Sequence, residues 1–401
     1  MSNVTKPRPF PFAVFAVATC LMLLSQAYLL PKVLATNDGL DFRLVWLAGQ
    51  LWSEGISPYS NAFDSAYAAT FGLGPSSHFW VYPPYWWTLS RLLSSLPFES
   101  SLLVWNSINY FTLIAVAVVF ASLRPGRFER FSSYARFATA LSILSIAQAT
   151  PFALALGQTS FLILAGIAAL LKGMDSKSRF LIALGTALVM LKPNFGLFIV
   201  LFFATQRWTW GPIAVVAVLY LSTSTWAAAQ TGFDATLQDF IDNLDKYYAS
   251  HLPASQPENL TGIVHLADFL GFALPNTVVY ALAAVAVLAI STVVRQRLEA
   301  LACAAVLCAF MIPLHTYDMT LFPFLIMVIN LRGNSLSEAF GLIATMAMLR
   351  SDNLSAALGL ASPGSMDAFA GSLIATIALG LGCISATLGI LHSKCEKPTT
   401  L

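Results

Sequence analysis

Long apolar runs recur along almost the whole chain, and they limit its possible folds more than any other feature. The clearest runs are Phe12–Leu30, Leu102–Leu123, Phe161–Leu171, Pro212–Ala229, Thr277–Val294 and Ser372–Leu391. Several are long enough to cross the hydrocarbon core of a bilayer, which takes about 20 residues of helix. Because lipid offers the backbone no hydrogen-bond partners, such segments must be helical. The sequence therefore predicts an all-α polytopic integral membrane protein.

The composition agrees with a membrane protein and excludes two other classes. Only 10% of the 401 residues are charged and 57% are hydrophobic, which leaves too little polar surface for a soluble globule of this size. The net charge of +2 is too small to indicate nucleic-acid binding. The five cysteines lie in or beside apolar runs without metal or redox spacing, so we interpret them as packing residues.

The runs predict a single membrane-embedded domain, residues 1–401, with about twelve spanning helices. The predicted spans are residues 11–31, 101–123, 137–155, 158–172, 179–191, 194–206, 210–229, 276–294, 299–314, 317–331, 337–350 and 367–391. The first run lacks a small-residue cleavage site followed by a soluble domain, so we interpret it as a retained span and not as a signal peptide.

The basic residues orient these spans. One side of the membrane collects 15 of the 21 lysines and arginines, which assigns that side and both chain termini to the cytoplasm. These residues are Lys6, Arg8, Arg124, Arg127, Arg130, Arg136, Lys172, Lys177, Arg179, Arg207, Arg295, Arg297, Arg332, Lys394 and Lys397. Helical spans indicate the plasma (inner) membrane, because bacterial outer membranes hold barrels. A eukaryotic internal membrane stays an alternative.

Two long polar segments, residues 32–100 and 230–275, lie on the external side and are longer than ordinary connections, which suggests a function. Residues 41–55 and 84–96 have helical patterns that predict interfacial helices. Their tryptophans, expected to form an aromatic belt at the membrane surface, are Trp46, Trp52, Trp86 and Trp87. In the second segment, Leu237–Tyr248 predicts a short solvated helix.

The first candidate site residue is Asp41, within Asn37–Arg43 directly after the first span. A carboxylate held where water is scarce has a raised pKa, and it becomes a better general base for a sugar hydroxyl. Two other interpretations stay open: Asp41 pairs with Arg43, or it caps the interfacial helix that begins at Phe42.

Three further motifs follow on the external side. The aromatic segment Trp80–Trp87, with Tyr82, would suit sugar stacking or lipid contact, and it would equally suit an interfacial anchor with a rigid turn. Gln158 lies at an outer turn between two spans. Lys192, at the end of a span before Pro193, either snorkels to headgroups or binds a lipid phosphate.

The last motif, Pro313–Asp318, interrupts two apolar spans with His315 and Asp318. Ionisable residues inside a membrane indicate function. These two side chains provide too few ligands for a metal site, so we expect them to hydrogen-bond phosphate or sugar, and we predict no metal and no cofactor.

The predicted topology brings all these residues toward the external face. A base, a cation and a phosphate-binding histidine suit transfer of a sugar from a phosphate, in which the hydroxyl is deprotonated and the leaving phosphate is neutralised. Nucleotide sugars are largely cytoplasmic, which leaves a lipid-phosphate sugar as the donor.

The ordered motifs resemble the polyprenol-phosphate-mannose-dependent α-mannosyltransferases of glycosyltransferase family 87, within the GT-C superfamily. They are Asp41-Phe42, Ala48-Gly49, Gly55–Tyr59, Tyr82-Pro83-Pro84, Gly157-Gln158, Lys192-Pro193, and Pro313 with His315–Asp318. The sequence departs from the family's pattern at Trp46, where tyrosine is frequent, and in His-Thr-Tyr-Asp at 315–318. These departures leave the sugar open between mannose, arabinofuranose and others.

The resemblance implies a GT-C-type bundle and an inverting transferase that needs no nucleotide sugar. In that family the aspartate matched by Asp41 is the base, His315 is expected to assist at the phosphate or acceptor, and Lys192 to face the donor, with Arg43 helping. The partners it implies are a polyprenyl-phosphate sugar, a lipid or glycan acceptor and membrane lipids. The alternatives are a glycolipid transporter or flippase and a non-catalytic subunit of envelope assembly.

Overall fold

The fold is that of a computed structural model, which describes most of the chain. The described residues are 12–35, 39–72, 80–123, 132–249, 260–293, 298–331, 335–349, 354, 357–358 and 368–395. Asn37 and Asp38 of the first motif lie outside them, as does the loop 250–259. The basic residues outside the described ranges are Lys6, Arg8, Arg124, Arg127, Arg130, Arg295, Arg297, Arg332, Arg350 and Lys397.

Helices make up nearly all of the described chain. They are α1 (Phe12–Leu34), α2 (Leu40–Ser53), α3 (Ala62–Phe71), α4 (Trp87–Ser94), α5 (Phe98–Ser122), α6 (Ser133–Ile146), α7 (Ala149–Leu156), α8 (Ser160–Ser176), α9 (Arg179–Met190), α10 (Pro193–Phe202), α11 (Trp210–Thr231), α12 (Phe233–Ala249), α13 (Ile263–Phe269), α14 (Asn276–Val293), α15 (Leu298–Met311), α16 (Phe322–Ile329), α17 (Ser335–Leu349) and α18 (Ala368–Cys395). Short 3-10 turns at Pro84–Trp86, Arg207–Thr209 and Thr316–Leu321 lead into α4, α11 and α16.

A single short strand pair interrupts the helical pattern of the described residues. Strand β1 (Leu260–Thr261) runs antiparallel to β2 (Leu314–His315), with Leu260 opposite His315. The Thr261 hydroxyl also donates to the Leu314 carbonyl at 3.0 Å. The strand pair therefore joins the second long polar segment, residues 230–275, directly to the His315 motif.

Within the part of the chain that the structure describes, four helical segments are long and apolar enough to span a bilayer: Ala13–Leu34, Phe98–Ser122, Arg207–Thr231 and Asn276–Val293. Helices α6 and α7 make a fifth candidate, bent by 63° between Ile146 and Ala149. Most of the other predicted spans coincide with apolar helices of 10–17 residues. The apolar helices therefore support a membrane-embedded protein, while the number of twelve spans stays a prediction.

Burial separates central helices from peripheral ones. Helix α15 is buried on all sides, with Leu301, Ala304 and Cys308 all at 0% exposure, as expected for a helix enclosed by others. The long helices α1, α11 and α14 instead expose large apolar side chains, as lipid-facing helices do; examples are Leu24, Leu221 and Val285. Helix α15 thus lies in the interior of the bundle, and α1, α11 and α14 lie at its periphery.

The first long polar segment, residues 32–100, packs onto the bundle. The predicted aromatic belt is wrong for two of its four tryptophans. Helices α2 and α4 form as predicted and pack against each other. However, Trp52 and Trp86 are 1% and 0% exposed. Both rings meet Trp80 edge-on, at centroid distances of 5.7 and 6.3 Å. The three rings bury their apolar faces and edges against one another. They therefore belong to the protein core and not to a belt at the membrane surface.

The second long polar segment, residues 230–275, contains the predicted helix, but one side of this helix packs against the protein and is not solvated. Helix α12 includes Leu237–Tyr248 and extends it at both ends. Its Asn243 is 5% exposed and donates to the Tyr59 carbonyl at 3.1 Å, and Phe240 meets the Tyr59 ring edge-on. Helix α12 therefore packs against the first long polar segment, residues 32–100.

Candidate functional site

The centre of the site is an ion pair between two residues far apart in sequence. Lys192 precedes α10, and its Nζ lies 2.5 Å from Oδ2 of Asp318 in the 3-10 turn before α16. The side chains are only 16% and 3% exposed, so water screens their attraction little. The ammonium also lies over the ring of Tyr317, 5.3 Å from its centroid, where the negative face of the ring adds to the attraction.

Asp318 has further partners that use both of its carboxylate oxygens. The Ser160 hydroxyl, at the first residue of α8, donates to Oδ1 at 2.7 Å, and the His315 N–H donates to Oδ2 at 3.3 Å. The His315 side chain accepts in return from the backbone of Asp318, which completes a capping box for the 3-10 turn. His315 stacks on Tyr317 at a centroid distance of 4.8 Å.

Asp41 faces this ion pair from α2, a helix outside the candidate membrane spans. Among the described residues Asp41 makes no ion pair of its own. Burial raises the pKa of its carboxyl to about 6; the nearby Lys192 ammonium opposes this rise and the Asp318 carboxylate adds to it. A carboxyl with a pKa of about 6 is basic enough to take a proton and is still ionised at neutral pH.

Two glycines bring Asp41 to this place. Gly39, with φ +52°, precedes α2 and donates its N–H to the Ala155 carbonyl in the last turn of α7. Gly157, with φ +70°, ends α7, and a Cβ at this residue would lie 2.5 Å from the Cβ of Phe42. Only glycine permits both the left-handed backbone and this close approach, so the start of α2 rests directly on the Gly157 turn.

The Gly157–Ser160 turn is held from behind by α5. Trp105 Nε1 donates to the Gly157 carbonyl at 2.8 Å, and Asn109 Nδ2 donates to the Gln158 carbonyl at 3.3 Å. The Gln158 side chain is 2% exposed and lies beside the hydroxyl of Tyr317. The turn therefore joins Asp41, Asp318 and Tyr317 into one site.

Tyr82 closes another side of the site. Its ring contacts those of Trp80 and Trp86 at centroid distances of 4.9 and 4.8 Å, and its carbonyl accepts from the Tyr59 hydroxyl at 2.6 Å. Burial raises the pKa of the Tyr82 hydroxyl, and the nearby carboxylates of Asp41 and Asp318 raise it further. The hydroxyl therefore stays protonated and can donate a hydrogen bond.

The rest of the aromatic segment Trp80–Trp87 binds the turn between α9 and α10, which carries Lys192. The Tyr85 hydroxyl donates to the Met190 carbonyl at 2.5 Å, and Trp86 Nε1 donates to the Leu191 carbonyl at 3.1 Å. Tyr220 of α11 stacks on Tyr85 with ring centroids 4.2 Å apart and donates to the Ala187 carbonyl. These contacts fix the end of α9, so much of the aromatic density supports the fold of the site.

The structure brings together six of the seven predicted site residues. They are Asp41, Tyr82, Gln158, Lys192, His315 and Asp318. Arg43 lies elsewhere, with its guanidinium over the Phe71 ring at 5.1 Å. Residues two apart in a helix point to opposite sides, which also explains why Asp41 and Arg43 do not pair. Helix α2 begins at Leu40 after Gly39, so Asp41 lies within its first turn and is not its cap.

Sequence reasoning did not single out Tyr85 and Tyr317 within the motifs that contain them, nor Ser160 two residues after Gln158, and it missed Tyr220. For the first three, their place in or beside the recognised motifs was the available signal. Tyr220 lies in the middle of an apolar helix, where nothing in the sequence distinguishes it from a packing residue.

The site combines one ammonium with two carboxylates at the ends of several helices. Helices α2, α8 and α10 all begin here, at Leu40, Ser160 and Pro193. The positive ends of their dipoles favour an anion and partly offset the two carboxylates. The arrangement can accept a proton at Asp41 while Lys192 stabilises negative charge on a leaving group.

Comparison with known proteins identifies the family of the chain. No curated protein and no solved structure matches it. The family profile of glycosyltransferase family 87 matches residues 80–317. The matched stretch includes Tyr82, Gln158, Lys192 and His315. Asp318 lies one residue beyond its end, and Asp41 lies well before its start. Since the match covers more than half of the 401 residues, the chain belongs to glycosyltransferase family 87.

Proposed function

We propose that this glycosyltransferase is an inverting enzyme that moves a sugar, expected to be mannose, from a polyprenyl phosphate to a lipid or glycan acceptor. The observation that carries the proposal is the partly buried Asp41 carboxylate, which has no ion-pair partner among the described residues and faces the Lys192 ammonium. Sugar transfer from a phosphate needs a base at the acceptor and a positive charge at the leaving group, and these two residues provide both.

In the proposed reaction, Asp41 takes the proton of an acceptor hydroxyl. The hydroxyl oxygen attacks the anomeric carbon from the side opposite the phosphate, and the bond between that carbon and the phosphate oxygen breaks. The electron pair leaves with the polyprenyl phosphate, whose charge Lys192 neutralises. A β-linked donor thus gives an α-linked product. The Tyr82 hydroxyl and the Gln158 amide would hydrogen-bond the sugar or the phosphate, and His315 would assist at the phosphate or the acceptor.

The positions of the described basic residues support an external site in the plasma (inner) membrane. Lys172 and Lys177 lie at the end of α8, and Arg179 begins α9. The opposite ends of the same two helices carry Ser160 and lead to Lys192. By the rule that basic residues collect in the cytoplasm, the site would face outward, where lipid-phosphate sugars are the available donors.

The test is release of polyprenyl phosphate by the purified protein in lipid nanodiscs. A panel of β-linked polyprenyl-phosphate sugars would be supplied with a native lipid extract as acceptor. Turnover is expected for one donor, with a loss of roughly 10²–10⁴-fold in Asp41→Asn, because removal of a general base has effects of this size.

Asp175→Asn is the matched control, because Asp175 is an aspartate that pairs with Lys172 at 3.2 Å on the other end of α8. It should retain the wild-type rate. Equal rates in wild type and Asp41→Asn would remove Asp41 from catalysis. No turnover of any donor would contradict the proposed reaction and favour a transporter or an assembly subunit.

A further inference from the structure

We propose that Ser160 and Asp318 are positioning residues that hold Lys192 away from Asp41, and so keep the Asp41 carboxylate free to act as a base. This inference rests on the proposed function and assigns Asp318 a role other than binding substrate. Its starting point is that the Lys192 ammonium pairs with Asp318 at 2.5 Å and also acts electrostatically on the Asp41 carboxyl.

Asp318 is the better placed of the two carboxylates to bind the Lys192 ammonium. It is 2% exposed, and its oxygens receive the Ser160 hydroxyl, the His315 N–H and the Lys192 ammonium. Together these three donors fix the orientation of the carboxylate. With both oxygens engaged, Asp318 has little capacity left for a substrate hydroxyl.

Asp41 differs from Asp318 in its ion-pair partners, and this difference matters for a base. Among the described residues no ion-pair partner holds its carboxylate. Its charged neighbours are Lys192 and Asp318, and the titratable hydroxyls of Tyr82 and Tyr317 are also close. If Lys192 moved onto Asp41, the ion pair would stabilise the carboxylate and make it a poorer proton acceptor.

Ser160 completes the arrangement from a third helix. It is 0% exposed, so water cannot replace its hydroxyl if the side chain is shortened. Without this hydrogen bond, only the His315 N–H of its own turn and the Lys192 ammonium would orient the Asp318 carboxylate. The ion pair with Lys192 would then be less well fixed. Ser160 would therefore act on Asp41 through Asp318 and Lys192, without touching the substrate.

The experiment measures the protonation of Asp41 without any sugar donor. The full-length protein in nanodiscs is treated with dicyclohexylcarbodiimide, which reacts with protonated carboxyls in apolar surroundings, and the modification of Asp41 is followed by mass spectrometry from pH 4 to pH 9. Ser160→Ala is expected to move the midpoint of labelling downward by about one unit, the lower end of the effect that a nearby opposite charge has on a carboxyl.

Three variants make the result specific. Ser160→Thr keeps the hydroxyl and should restore the wild-type midpoint. Ser145→Ala removes an equally buried serine hydroxyl in α6, away from the site, and should leave the midpoint unchanged. In a Lys192→Met background Ser160→Ala should have no effect, because no ammonium remains to be held.

The outcomes separate this inference from the proposed function. An unchanged midpoint in Ser160→Ala, or an undiminished shift in the Lys192→Met background, would overturn the positioning role whatever the enzyme turns over. A midpoint that moves as expected, in a protein that turns over no donor, would uphold the positioning of Lys192 and contradict the proposed reaction. Thermal melting of each variant checks that it is folded.

Discussion

Asp41 and Asp318 are both acidic residues of one site, yet their surroundings differ. Asp318 receives a serine hydroxyl, a backbone N–H and an ammonium, whereas Asp41 makes no ion pair among the described residues. Burial raises the pKa of the Asp41 carboxyl to about 6, which suits a base. The difference arises from neighbours and not from residue type.

The pH dependence of turnover should report Asp41. A base must be ionised, so kcat/KM is expected to rise with pH through a midpoint at about 6, the raised pKa of Asp41. Lys192→Met removes the charge that lowers this pKa and should move the midpoint upward. Asp318→Asn removes a charge that raises it and should move the midpoint downward. Initial rates from pH 4.5 to 8.5 measure both shifts, and two shifts of the same sign would contradict the assignment.

Arg43 offers a test of a role predicted from sequence alone. Its guanidinium lies over Phe71, a contact that stabilises a fold by about 0.5–1 kcal/mol. Arg43→Met should therefore lower the melting temperature slightly and leave the donor KM and kcat close to wild type. A large rise in the donor KM, measured by steady-state kinetics, would show that Arg43 reaches the phosphate after all.

The sequence indicated the charged residues of the site better than its neutral ones. Asp41, Lys192 and Asp318 could be found because an ionisable side chain among apolar residues is costly and indicates function. Ser160 could not, because serine is common in membrane helices and carries no such cost. The sequence also did not show that Lys192 and Asp318 pair, since 126 positions separate them.

At the scale of elements, the site depends on close contact between the start of α2 and the Gly157 turn. Gly157→Ala introduces a Cβ at 2.5 Å from that of Phe42 and forces alanine into φ +70°. The backbone strain alone costs about 1–2 kcal/mol, and the clash would push α2 away. We expect lower thermal stability and a loss of turnover greater than the loss of folded protein.

Gly72→Ala is the matched control for this prediction. Gly72 has a similar φ of +65°, but a Cβ there would meet no atom within 4 Å. It should show the strain without the displacement of Asp41, so turnover per folded molecule should stay near wild type. Equal losses in the two variants would mean that strain, and not the contact with Phe42, explains the effect.

The elements themselves were largely predictable, and the exceptions have physical causes. Apolar runs end where polar or helix-breaking residues begin, so helix limits such as Arg179 and Pro193 follow from the sequence. The bend between α6 and α7 was missed because the two helices were read as one span, although Gln148 and Pro151 interrupt the apolar run at the bend. The pairing of Leu260 with His315 was missed because two-residue strands leave no periodic pattern.

At the scale of the whole molecule, the central question is which side of the membrane the site faces. We expect a cysteine at Asp245 in α12 to react with a membrane-impermeant maleimide in intact cells, and a cysteine at Ser176 at the end of α8 to react only after permeabilisation. Both side chains are exposed, and the five native cysteines would first be replaced by alanine. Labelling of Ser176→Cys alone in intact cells would invert the proposed orientation.

The ion pair between Lys192 and Asp318 also has a consequence for biogenesis. Membrane helices enter the bilayer in the order of synthesis, so Lys192 emerges 126 residues before its partner. Until Asp318 follows, the nascent protein carries an uncompensated ammonium at the end of a short apolar helix, a costly state in lipid. Chains that stop before residue 318 would keep this defect permanently, which gives membrane quality control a feature by which incomplete copies differ from finished ones.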